Sequence, residues 1–418
     1  MWLSKRYGLF VKGVFVDGLI VNYHEPNGCY ELVSLMTSSM PKPQAGHHTS
    51  ALVRPAHDLT SQLRLIHDLV RSRYPFVDRI ALALYEPATD RLKTFVSSNT
   101  DEVLLKRYEV ALSSVPSLMQ LVRERRSRVV NDIAATFTAH TTHTDWLAER
   151  GYRASYTTPI FHGDQLAAFL FFDSKAPGTF SVETGQFMDT FADLIAQLFL
   201  LQRQVVDGML GTIKVAVGLA RIRDLETGQH LERMAQYSRL MAQALAERHG
   251  LSDEVVEYVY LFAPLHDIGK VGIPDRILLK PGKLDGEEWA IMKQHVAIGE
   301  QIIDKIASEM DLSDSLPSRV MREIVAGHHE RGDGSGYPRG LTMDQIPLVA
   351  RIVAVADVYD ALSNKRPYKQ AWGEADIVAE MRKEAAAGRL DTECVEALLA
   401  AQAARHSILA RFADQIDA

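Results

Sequence analysis

The stretch Leu265-His266-Asp267-Ile268-Gly269-Lys270 decides the reading of this chain, together with His328-His329-Glu330-Arg331-Gly332-Asp333-Gly334-Ser335-Gly336-Tyr337-Pro338 downstream. A lone His-Asp pair is common. Two adjacent pairs of metal-binding residues, the second followed by a glycine-rich turn, are not. Imidazole and carboxylate together suit iron, manganese or zinc, not calcium or magnesium alone. The pattern predicts a polynuclear metal site that hydrolyses a phosphate ester.

Further residues fall in line on either side. Glu226 and His230 stand four apart, which on a helix puts both side chains on one face. His295 lies between the two pairs, and Asp357 ends the apolar run Ala354-Val355-Ala356. Read singly, each is bland: a solvated pair, a helix-end cap, an uninformative histidine. Read together, they would be separate coincidences arranged in the order of one site. Lys270 lies one helical turn from His266 and can point at the same place. The segment from about 207 to 405 that carries them reads as almost entirely helical.

The preceding segment, 58–203, has another pattern. Leu63, Ile66 and Val70 recur at helical spacing, and Ile80, Leu82 and Leu84 alternate as in a half-buried strand. Thr158 to Phe161 and Leu166 to Phe172 flank His162-Gly163-Asp164 as a hairpin. Ser181 caps a long helix bearing Phe187, Phe191, Leu194, Ile195 and Leu198. Its apolar stripe continues through Leu201, Val205, Met209 and Ile213, which predicts a helical linker whose stripe meets a second copy of the chain. Gly208 and Gly211 predict a bend.

Composition excludes several classes. With 47% hydrophobic and 24% charged residues, the 418-residue chain is that of an ordinary globular protein of two or three domains. Its net charge of -7 argues against a broad basic surface for DNA. Cys29 and Cys394 suggest no disulfide framework and point to a reducing cytoplasm. No apolar run reaches the ~18 residues that a bilayer span needs. Residues 1–57 carry no readable function and are expected to form a disordered N-terminal segment, on the strength of the Pro- and Gly-rich piece from Met40 to His57.

Residues 58–203 resemble a GAF domain: helix, antiparallel strands, a middle excursion, hairpin and exit helix. The segment contains no cysteine, so covalent bilin attachment has no anchor. Residues 204–405 resemble the HD-GYP family of bacterial phosphodiesterases. That resemblance rests on the two quoted stretches and on Ile273-Pro274-Asp275, Lys280-Pro281-Gly282, Ala356-Asp357-Val358-Tyr359-Asp360-Ala361-Leu362 and Arg366-Pro367-Tyr368-Lys369. The expected fold class is α+β multidomain: an α/β GAF-like sensor domain, a long helical linker, then an all-α HD-GYP domain.

What the second resemblance implies is hydrolysis of cyclic di-GMP to the linear dinucleotide or onward to GMP, in the cytoplasm of a bacterium. The metal ligands would be His230, His266, Asp267, His295, His328, His329 and Asp357, holding two divalent ions, iron or manganese. Glu226 would allow a third. Asp267 and Lys270 would act in catalysis, with Lys270 on the scissile phosphate. Gly336, Tyr337, Asp360, Arg366 and Lys369 would contact substrate. The partners implied are a second copy, through the GAF domain and linker, and diguanylate cyclases, through the turn at Gly336-Tyr337-Pro338. Two alternatives stay open: another cyclic dinucleotide such as cyclic GMP-AMP, or a weakly active sensor or adaptor.

Overall fold

The computed structural model describes residues 14–16, 19–24, 29–34, 58–100, 105, 108–136, 142–221, 228–364 and 372–413. Two units separate at residue 51. In the first, β1 (Val14–Val16), β2 (Leu19–His24) and β3 (Cys29–Ser34) pair antiparallel. Paired strands thus stand in part of the segment for which the sequence suggests disorder. The stretch from Met40 to His57 lies outside the described residues.

The second unit begins with α1 (Leu59–Arg73) and a six-stranded antiparallel sheet. Its strands are β4 (Arg79–Glu86), β5 (Arg91–Asn99), β6 (Glu109–Ala111), β7 (Arg128–Val130), β8 (Ala154–His162) and β9 (Gln165–Ser174), in the order β6-β5-β4-β9-β8-β7. Three short helices, α2 (Pro116–Glu124), α3 (Ile133–Thr136) and α4 (Thr142–Glu149), fill the excursion between β6 and β8. Alternation along β9 explains the layering, because successive side chains face opposite ways. Leu170 and Phe172 join Leu63, Ile66 and Val70 on one face, whereas Phe169 and Phe171 join Leu92 and Leu118 on the other. The β8–β9 hairpin is where the sequence predicts it, with Gly163 at φ +59° in its turn.

Ser181 accepts from the backbone N–H of Thr184 at 3.2 Å and starts α5 (Val182–Arg221). This 40-residue helix runs without interruption through Gly208 and Gly211. Most of its apolar side chains find partners within the chain. Ile195 and Phe199 are buried in the sheet's core, and Val206, Met209, Leu210 and Ile213 in the helical core that follows. Much of the apolar stripe is therefore taken up by the chain's own two domains, whereas Leu201 in its middle is 60% exposed.

The remaining helices are α6 (Gly228–His249), α7 (Asp253–Phe262), α8 (Asp275–Leu278), α9 (Gly286–Met292), α10 (Gln294–Glu309), α11 (Leu316–Gly327), α12 (Leu348–Ser363), α13 (Glu374–Ala386), α14 (Thr392–Ala400) and α15 (Gln402–Arg411). They enclose one core in which Met241, Phe262, Ile324, Val353 and Leu398 are fully buried. No helix among the described residues is long and apolar enough to cross a membrane.

A polar seam joins the sheet domain to α6 and α7. Thr94 donates to Asp253 at 2.6 Å. The Lys93 ammonium sits between Glu86 and Glu257, at 3.1 and 3.3 Å, and Glu109 accepts from Arg239 and Gln243. Glu254 is fully buried, and burial pushes its carboxyl up; it accepts from Thr60, Gln202 and Tyr258. Burying such groups costs stability unless they are paired, so the seam fixes one arrangement of the two domains.

Truncating Met209 tests the packing of the linker. Met209→Ala should destabilise the helical domain by about 2–5 kcal/mol, as deletion of buried core side chains does. Urea unfolding followed by circular dichroism checks this, and an unchanged midpoint would show that α5 is not part of that core.

Candidate metal centre

Each histidine is presented by a helix end or a tight turn. α7 runs into a 3-10 turn, Ala263–Leu265, which delivers His266 and Asp267; a second 3-10 turn, Ile268–Gly272, follows at once. His295 sits in the first turn of α10, and His328 and His329 follow the end of α11. His230 belongs to α6 and Asp357 to α12.

Glycines let these elements approach. A Cβ on Gly269 would lie 1.7 Å from the His295 carbonyl oxygen, so the turn after Asp267 rests directly on the α10 backbone. A Cβ on Gly327 would meet that of Ala350 at 2.8 Å, which brings the end of α11 against α12. No other residue fits either contact without displacing backbone or core.

The outcome is two adjoining groups of potential ligands. Asp267, His295, His328 and His329 form one, and His230, His266 and Asp357 the other, with the donor atoms of each group lying within 4.8 Å of one another. Asp267 stands between them. Its Oδ2 is 3.2 Å from His266 Nε2, while Oδ1 is 3.1 Å from His295 Nε2 and 3.7 Å from His328 Nε2. One carboxylate oxygen thus faces each group.

Hydrogen bonds fix the histidine tautomers. The Nδ1 atoms of His266, His295 and His328 lie 2.8, 2.8 and 3.0 Å from the carbonyl oxygens of Ala263, Met292 and Val325. A carbonyl only accepts, so each Nδ1 carries the proton and each Nε2 offers a lone pair to the centre. Among the described residues, the buried Nε2 atoms of His295 and His328 have no hydrogen-bond partner. This donor set fits a pair of divalent cations: neutral imidazoles held from behind, with a carboxylate between the two positions.

Electrostatics agree with that fit. Burial lowers the proton affinity of His328, against the pull of Asp267, and burial together with His328 lowers that of His329. Both stay neutral, the form that binds metal. Burial pushes the Asp267 carboxyl up, but Lys270, His266 and His295 outweigh it and hold Asp267 well below the ordinary carboxylate range. Lys270 Nζ lies 2.8 Å from Asp267 Oδ2, at the mouth of the site.

Other expected site residues divide. Tyr337 is half-buried and packs its ring 4.8 Å from that of His329. Gly336 has a local reason for being glycine: its Cβ would strike the backbone of Arg331 at 2.2 Å. Asp360 is corrected. It is buried beneath His230, accepting from His230 Nδ1 at 2.7 Å and from Arg233 Nε at 2.6 Å, so its carboxylate orients a ligand and does not face substrate. Those two partners hold its proton affinity down against the effect of burial. Glu226, Arg366 and Lys369 lie outside the described residues.

Sequence reasoning missed Arg233, which is buried and spans Asp360 and the Phe412 carbonyl. It also missed Glu330, whose buried carboxylate accepts from the backbone N–H groups of Arg339 and Leu341 and so closes the glycine-rich loop. The signal for Arg233 was its place one helical turn after His230.

A cavity of about 430 Å³ lies apart from the metal centre, in the sheet domain, with a mostly apolar wall that includes Ala83, Leu92 and Phe171. Ser252 and Asp253, at the start of α7, complete its lining.

Comparison with known proteins agrees with this geometry. The HD domain family matches residues 225–394, and the GAF domain family matches residues 58–199. The chain therefore carries a GAF domain followed by an HD domain. It is 46% identical over 191 residues to the cyclic di-GMP phosphodiesterase response regulator RpfG of Xanthomonas campestris, covering 46% of this chain and 47% of that protein. It is 43% identical over 201 residues to a probable cyclic di-GMP phosphodiesterase of Vibrio cholerae, covering 47% of this chain and 45% of that protein. It is 45% identical over 159 residues to 3'3'-cGAMP-specific phosphodiesterase 2 of Vibrio cholerae, covering 38% of this chain and 28% of that protein. The match thus spans less than half the length of each of these relatives.

Asp360→Asn should separate orientation from ligation. Losing the charge behind His230 should weaken metal binding roughly 10- to 100-fold, as loss of such partners does. Competition with a chromogenic chelator would measure it, and unchanged affinity would remove the orienting role.

Proposed function

We propose that this chain, a GAF domain joined through α5 to an HD domain, is a metal-dependent phosphodiesterase that opens cyclic di-GMP to the linear dinucleotide pGpG or on to GMP. The observation that supports this best is the Asp267 carboxylate, with one oxygen toward each group of histidines.

His295, His328 and His329 would hold one ion, His230, His266 and Asp357 the other, and Asp267 both. Glu226 would add a ligand for a third. Iron and manganese suit the imidazole-carboxylate donor set. When bound, such ions supply a nucleophile near neutral pH and neutralise charge developing on the phosphoryl oxygens. The protein does the rest. Asp267 is kept ionised by Lys270 and the histidines. Lys270 holds a phosphate oxygen at the mouth of the site, and its ammonium stabilises charge arriving there. Tyr337 walls the site beside His329. Arg366 and Lys369 would take the second phosphate.

The relatives favour a second substrate as well, since those named for cyclic di-GMP and those named for 3'3'-cGAMP resemble the chain about equally. Metal ligands are indifferent to the bases, so either dinucleotide satisfies the centre.

Regulation follows the seam. Asp253 and Glu257 on α7, and Arg239 and Gln243 on α6, are held by the GAF domain, while α6 carries His230 and α7 leads into His266. A change in the sheet domain reaches the ligands through those two helices. Dimerisation would use the GAF domain and the part of α5 around Leu201, which is 60% exposed. The exposed Ser335 and Pro338 of the glycine-rich turn are where a diguanylate cyclase would dock. The buried free thiol of Cys394 fits a reducing cytoplasm.

Anaerobic purification without chelator, elemental analysis and chromatography of cyclic di-GMP reactions test the reading. Two or three metals per chain with loss of the cyclic dinucleotide are expected. Replacing His266 and Asp267 together by Ala should abolish both, and retained turnover would sink the assignment. For the seam, Lys93→Met leaves Glu86 and Glu257 without their shared cation; kcat should change at constant metal content. An unaltered kcat would argue against coupling by this route.

A further inference from the structure

Trp289 has no role in the core. It lies on α9, a helix with no buried residue, and is 46% exposed. Nonetheless α9 is firmly built: Asp285 and Glu288 form a reciprocal capping box, and Lys280 pairs with Glu288. The ring is therefore presented at a set position without being used to fill space.

Its neighbours lead to the metal centre. The Trp289 ring lies edge-on to Tyr337, with centroids 6.2 Å apart at 80°. Tyr337 in turn lies over His329 at 4.8 Å and 34°. The Lys293 ammonium is 5.8 Å from the centroid of the Tyr337 ring, so a cation flanks the same path. Histidine, tyrosine and tryptophan form an aromatic run from the ligands to the surface, beside a positive charge that suits phosphate.

We propose that Trp289 is the stacking platform for a purine base of the cyclic dinucleotide. The inference rests on the phosphodiesterase reading above and adds to it a binding residue. With phosphate at the centre, the attached nucleoside projects outward along Tyr337, and its base meets the exposed indole face. Stacking on an aromatic ring tolerates any base, because every base has a π-face. Trp289 therefore supplies affinity without choosing between guanine and adenine.

The test is steady-state kinetics of the manganese-loaded full chain and of its W289A and W289F variants, on cyclic di-GMP and on 3'3'-cGAMP, with metal content measured throughout. W289A should raise KM roughly tenfold or more, the scale of one lost stack. The factor should be the same for both substrates, with kcat and metal content unchanged, and W289F should recover most of it. An unchanged KM overturns the proposal. So does loss of metal, which would make Trp289 structural, and so does a KM effect confined to one dinucleotide, which would mean recognition of a base edge. If the wild-type chain binds metal but acts on neither dinucleotide, the parent reading fails, and this one with it.

Discussion

The whole site depends on a contact that allows no side chain. Asp267 can stand between two groups of histidines only because Gly269, two residues on, lies against the His295 carbonyl at the start of α10. That approach brings the turn bearing His266 and Asp267 to the helix bearing His295. The same carboxylate then meets His328 from the end of α11, whose approach to α12 passes through Gly327 and Ala350. A few tenths of an ångström matter here, because interiors this dense transmit displacement and do not absorb it. The backbone carbonyls that orient three of the histidines each lie three residues before the histidine they hold, so ligand direction and local backbone geometry are one constraint.

The division of labour between domains follows from α5. Its first half completes the core under the sheet, and its second half enters the helical core. Neither domain closes its core without it. The polar seam then fixes the sheet against α6 and α7. Because Ser252 caps α7 while also lining the cavity in the sheet domain, the start of that helix is shared by two environments. The far end of α7 runs into the turn that delivers Asp267. Position along one helix thus links the cavity wall to the metal centre with no loop in between.

Much of this was legible in the sequence, and the reasons differ by residue. His266, Asp267, His295, His328 and His329 could be read because ligand chemistry admits few residue types, and their chain order survives folding. The hairpin at Gly163 could be read from period-two alternation on both sides of a turn. The role of Asp360 could not: one turn beyond Asp357 it reads as a substrate contact, and only the packing of α6 against α12 turns it toward His230 and Arg233. The stripe on α5 was legible only in part for a related reason. An amphipathic pattern states that a face is covered, not by what, and here the covering comes from residues such as Leu63 and Met241, far apart in sequence. Likewise, the backbone carbonyls behind the histidines leave no mark on residue identity.

The same arrangement sets how acid acts on the fold. His328 and His329 are held neutral by burial, so their folded proton affinities lie below that of an ordinary histidine. The unfolded chain takes up those protons near pH 6.5, whereas the folded chain refuses them. Stability therefore falls as pH drops through that value, since protons then favour the unfolded state. Asp267 acts in the same direction at lower pH: its carboxyl is held well below the usual range, so the stability it contributes is lost as it becomes protonated. A cation binding between the two groups opposes both effects, because it binds the neutral imidazoles and the ionised carboxylate that the fold already prefers. The centre is thus preorganised by the same burial that makes it sensitive to acid.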